Sequence, residues 1–168
     1  YDGFEPIALP HDPLNGPAVF VNLLDFLDAP EPVEPLRRAW LEMARRTWGR
    51  DQLRSTSKRL PIADALVAEL PAAQRELFLI GCGLRPGGAA LLEEGLARAG
   101  DHFAFADPAP KLQRIGVPVV IGHGRYDDMV PYTEAGKLAA ALPGEQHHRV
   151  LVTSLYGPLV CIQATIFW

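Results

Sequence analysis

Apolar positions along this chain follow a helical period through its middle and then become continuous at "GVPVVIGHG". In residues 34–48, Leu36, Trp40, Ala44 and Trp48 recur every four residues, with Arg and Glu on the opposite side and Gly49 as a stop. That spacing predicts an amphipathic helix. Trp40 and Trp48 are read as anchors packing on a neighbouring element rather than as a ligand cage. Before it, "ALPHDPLNGPAVF" is dense in Pro and Gly and is expected to be mostly loop. "VFVNLLDFLDAP" is a short apolar helix stopping near Pro30, and "APEPVEP" is a stiff connector. Between Pro61 and Gly100 two or three shorter helices are expected. "PIADALVAEL" and "PAAQRELFLI" each carry Pro near the first turn, and "GGAALLEEGLARAG" ends at Gly. No central strand is evident there.

Residues 117–121 are apolar and β-branched without interruption, as in a strand buried on both faces of a parallel sheet. "YTEAGKLAAALPG" follows as a helix with Ala135, Leu138, Ala139 and Leu142 inward and Pro143–Gly144 at its end. "RVLVTSLY" is a second strand. Strand, helix and strand make a βαβ crossover, expected to be right-handed. The predicted class is therefore α/β. It has a loop-rich entry with a short helix (1–33), a helical region (34–109), a βαβ part (110–158) and an apolar tail (159–168).

Composition changes this picture little. The 168 residues suit one domain, and 48% hydrophobic with 21% charged residues is ordinary for a globular chain. The net charge of -4 and the absence of a basic block with interleaved aromatics exclude nucleic acid as an expected partner. No apolar run approaches the roughly 18 residues of a membrane span. Cys82 and Cys161 make no disulfide framework and no paired metal motif, so they do not fix the compartment; the cytoplasm is the default. The start, "YDGFEP", has no Met and no signal-peptide pattern, as in a processed protein or a piece of a longer one.

Chemistry concentrates in "IGHGRYDDMVPY". In open α/β sheets, reacting groups gather beyond the carboxyl ends of strands, and Asp127 and Asp128 lie just past such an end. A carboxylate there either serves catalysis or fixes the turn and caps the next helix. Asp128, nearer the helix, suits capping better. His123 either lines a site or holds the loop through a backbone hydrogen bond.

Residues 115–143, "IGVPVVIGHGRYDDMVPYTEAGKLAAALP", resemble the segment around the acidic triad member of α/β-hydrolases. In that family a core strand ends in Gly, the catalytic Asp follows three residues later, and Pro closes the turn. Here these are Gly124, Asp127 and Pro131. The resemblance implies a partial α/β-hydrolase fold in which the helical region is a lid and Asp127 is the acid. His123 and Asp128 would be possible site-lining neighbours, and no cofactor or metal is implied.

Two parts of the family's order, nucleophile, acid and histidine, do not appear. Ser55, Ser57 and Ser154 lack the flanking glycines of G-x-S-x-G. "LYG" is followed by Pro158 where a histidine is expected, and His147 and His148 precede the last strand. Eight residues at roughly 3.3 Å put that pair about 25 Å from the carboxyl end. Cys82 in "LIGCGL" does not supply G-x-C-x-G and reads as a buried, inert thiol. His102, Asp107, His123 and Asp127 match no ligand spacing, and "GCG", "PGG" and "GHG" make neither a dinucleotide fingerprint nor a P-loop.

The implied protein is the C-terminal part of an esterase-like hydrolase acting on ester or related acyl bonds. It is expected to be inactive alone, with association through exposed sheet edges. The alternative is a non-catalytic hydrolase-like module that binds an apolar ligand or a partner protein. The tail "LVCIQATIFW" reads either as a final strand or as a sequence that has lost its true ending.

Overall fold

The computed structural model describes residues 13–127, 130–144, 148–154 and 164–165. It is a mixed α/β chain in two compact units that divide between Asp101 and His102. The first unit is helical. It contains α1 (Gly16–Leu23), α2 (Glu34–Thr47), α3 (Thr56–Glu69), α4 (Ala72–Gly81) and α5 (Gly88–Ala99).

Helix α1 begins inside the stretch expected to be loop. Pro17 occupies its first turn, where a missing N–H costs nothing because that donor has no intrahelical acceptor. Its face of Val19, Phe20 and Leu23 is buried. The strongest period in the sequence becomes α2, whose Leu36, Trp40, Met43 and Ala44 are buried. The Trp40 indole lies 5.8 Å from the Phe20 ring and donates its Nε1–H to the Phe78 carbonyl at 3.2 Å. Trp48 behaves differently from Trp40. The helix stops at Thr47, the backbone turns extended at Trp48, and its side chain is 44% exposed.

Helix α3 starts at Thr56, earlier than Pro61 suggested, so this proline lies inside the helix rather than in its first turn. As the sixth residue of α3 it forgoes one backbone bond, the one an N–H there would make to the Ser57 carbonyl. Gln74 in α4 is fully buried and donates from Nε2 to the carbonyls of Pro30 and Pro32, at 2.7 and 2.6 Å. One polar side chain thereby satisfies two acceptors of the Pro-rich connector.

The second unit holds α6 (Ala109–Leu112), β1 (Val119–Gly124), α7 (Thr133–Ala140), β2 (His148–Thr153) and the short β3 (Ala164–Thr165). β1 pairs parallel with β2, from Val119 opposite His148 to Gly124 opposite Thr153. β3 adds an antiparallel contact on the other side, with Val120 opposite Thr165, giving the order β2-β1-β3. Ala164–Thr165 is thus the described strand of the apolar tail.

Alternation along β1 sends Ile121 into a core with Leu112, Ala135, Ala139 and Leu142, against which Val119 and Leu138 pack. Of the inward positions expected, Ala135 and Ala139 are buried in α7 and Leu142 is buried just past the helix, which ends at Ala140 rather than at Pro143. Burial of β1 on both faces is not complete: Val119 and Val120 are partly exposed, and on β2 Leu151 is 56% exposed.

Candidate functional site

β1 is apolar up to Ile121 and then carries Gly122, His123 and Gly124, a change from core-building to turn-building residues. The chain leaves the sheet at Gly124. The Arg125 N–H donates to the Thr153 carbonyl at 2.8 Å, so the end of β2 holds the start of the turn. The Asp127 N–H then donates to the Gly124 carbonyl at 3.3 Å, closing a tight bend. This places Asp127 beyond the carboxyl end of both parallel strands.

The Asp127 side chain is 8% exposed. Its Oδ1 accepts the Val130 N–H at 2.9 Å, and its Oδ2 lies 3.6 Å from His123 Nε2. His123 is enclosed, with a side-chain exposure of 0%. Its Nε2 is 2.8 Å from the Val130 carbonyl oxygen, which can only accept, so Nε2 carries the proton and donates. Nδ1 is buried and has no hydrogen-bond partner among the described residues. Of the two roles expected of a carboxylate after a strand, the one seen at Asp127 is fixing the turn, through Oδ1 and the Val130 N–H. His123 does what a loop-holding histidine does. With Nε2 donating and Nδ1 enclosed, it is not arranged to take a proton from a nucleophile.

Around this turn, Arg125 lies over the Tyr132 ring at 5.8 Å from its centroid, and Tyr126 is 66% exposed. The partners that the sequence reading missed are the backbone groups of Val130 and Thr153. An Asp bonding the N–H three residues on follows the spacing of a capping carboxylate, and that spacing was available in "DDMV".

The remaining candidates do not join Asp127. Asp128 and His147 lie outside the described residues. His148 opens β2 opposite Val119, five steps of about 3.3 Å, or about 16 Å, from the end where Asp127 lies. Ser55 Oγ is 2.9 Å from Ser57 Oγ. Ser154 follows β2 and is exposed. Cys82 is 1% exposed. Burial pushes its thiol well above the ordinary range, against a smaller opposing pull from Arg59, so it is held protonated and is a poor nucleophile. Among the described residues no group of three or more His, Cys, Asp or Glu side chains is placed to hold a metal ion. No described helix is long and apolar enough to cross a membrane. Compared with family models, curated proteins and solved structures, the chain matches none.

Proposed function

We propose that residues 110–158 are the acid-bearing strand–helix–strand segment of an α/β-hydrolase for ester or related acyl bonds, with Asp127 as the triad acid. The observation that carries this reading is the Asp127 carboxylate. It is nearly enclosed, lies three residues past the end of a parallel strand, and has one oxygen fixed by a backbone N–H.

In a Ser–His–Asp triad the acid does not attack. It orients the imidazole and stabilises the imidazolium formed when the serine loses its proton. A carboxylate suits that role when its own geometry is fixed before the reaction begins. The helical region 34–109 takes the part of the lid. The nucleophile and the histidine belong to parts of the enzyme other than the residues discussed above, so this chain alone does not turn over esters.

The alternative, a module binding an apolar ligand, would need an apolar groove. The helical unit has a cleft of about 570 Å³ with Leu41, Leu66 and Leu70 in its lining. Its lining also includes Arg38, Glu42, Arg45, Arg46 and Glu69, with Glu42 bound to both Arg45 and Arg46. A lining in which half the residues are charged does not favour an apolar occupant.

Hydrolysis of a p-nitrophenyl ester tests the inactivity directly. No turnover above buffer is expected. Turnover that survives Cys82→Ala but disappears in Asp127→Asn would contradict it. The coding DNA on both sides tests the assignment itself. An in-frame G-x-S-x-G upstream, and a histidine codon after Gly157 in another frame, are expected; a long upstream frame with no such elbow would overturn the reading.

A further inference from the structure

We infer that His123 is the positioning residue for the Asp127 carboxylate. Residue 130 bonds on both sides, through its carbonyl and through its N–H. Its carbonyl accepts the His123 Nε2–H at 2.8 Å, and its N–H donates to Asp127 Oδ1 at 2.9 Å. Residue 130 is thus held from β1 by the imidazole and in turn holds the carboxylate. The same Nε2–H edge lies 3.6 Å from Asp127 Oδ2, too long for a hydrogen bond but near enough for its positive end to face that oxygen. The ring therefore acts on Oδ1 through residue 130 and faces Oδ2 directly, and its own place is fixed because it projects from a paired strand into an enclosed site.

The chemistry selects histidine in its Nε2–H tautomer. A leucine of similar bulk would fill the space without donating, whereas glutamine presents an amide N–H near the position of Nε2. The role is distinct from catalysis, since the ring touches no reacting atom. The importance of the clasp for turnover rests on the reading of Asp127 as the triad acid, but the clasp itself is measurable without it.

The test is nuclear magnetic resonance on the whole chain. In the wild type, nitrogen shifts of His123 should show Nε2 protonated and Nδ1 bare; a proton on Nδ1 instead would overturn the inference, and this measurement needs no variant. His123→Leu should then speed hydrogen exchange at the Val130 amide at least tenfold while Ile121 and Val150 amides keep their rates. His123→Gln should restore most of the Val130 protection. Unchanged Val130 exchange in His123→Leu, or equal loss in both variants together with the strand amides, would reduce His123 to general packing and overturn the positioning role. A frame lacking G-x-S-x-G would overturn the hydrolase assignment and leave these exchange results intact, so the two failures are separable.

Discussion

At Gly81 a missing side chain makes room for an indole. A Cβ built there would lie 2.6 Å from Trp40 Nε1 and Cζ2, and Trp40 is fully buried with its N–H committed to the Phe78 carbonyl. The ring cannot retreat without giving up that bond. Gly81→Ala should therefore destabilise the helical unit by about 1–3 kcal/mol, even though alanine favours a helix by about 1 kcal/mol over glycine. A lower urea midpoint with an unchanged slope is the expected result; a midpoint equal to or above that of the parent chain would contradict this packing account. The "GCG" around Cys82 invited comparison with a nucleophile elbow, yet Gly81 serves Trp40 and the thiol is buried beside it in sequence. The same economy of residues operates at His123, where a titratable side chain holds a loop.

Among the elements, α2 was the most legible in the sequence because its pattern is long and strongly periodic. Its end was not, since Trp48 continues the four-residue spacing while the backbone has already turned extended. Hydrophobic spacing does not report where hydrogen bonding stops. Pro61 misled in the other direction, because a proline tolerated shortly after a helix start resembles one that begins it. The exposed side of α2 carries a testable charge cluster. Glu42 accepts from Arg45 and Arg46 at 2.6–2.7 Å. Hydrogen bonds from Arg45 and then Arg46 hold its carboxyl well down, from the ordinary 4.5 to about 2. Since the folded value lies below the unfolded one, the contribution is complete above pH 4.5 and fades as pH falls toward about 2. Between pH 6 and pH 3 the melting temperature of Glu42→Gln should fall less than that of the parent chain. Identical falls would show that this exposed cluster contributes nothing measurable, as many surface pairs do.

At the scale of the whole molecule, the described residues of the two units differ in the cores they build. The helical unit buries Trp40, Phe20, Phe78, Met43 and several leucines. The described core of the sheet unit is Leu112, Ile121, Leu142 and two alanines, and β2 leaves Leu151 56% exposed. Burial of apolar area at about 25 cal/mol per Å² favours the first. Residues 8–101 made alone should melt cooperatively, and in the whole chain α2 amides should exchange more slowly than β2 amides; the reverse order would contradict this ranking. The βαβ order was legible because continuous β-branched runs and a small-residue helix have few other solutions. The division between Asp101 and His102 left no mark in composition, since it depends on contacts between distant residues. The orientation of the Asp127 carboxylate, set by the Val130 N–H, was carried only by the three-residue spacing in "DDMV".

The central claim is that Asp127 is the acid of a hydrolase triad, and the most direct measurement is kcat on a p-nitrophenyl ester for the protein read from the upstream G-x-S-x-G through the histidine codon after Gly157, with and without Asp127→Asn. The substitution keeps the size of the side chain but removes the charge that stabilises an imidazolium, so kcat should fall by roughly 10³–10⁴. An Asp127→Asn protein with the parent kcat would contradict the account.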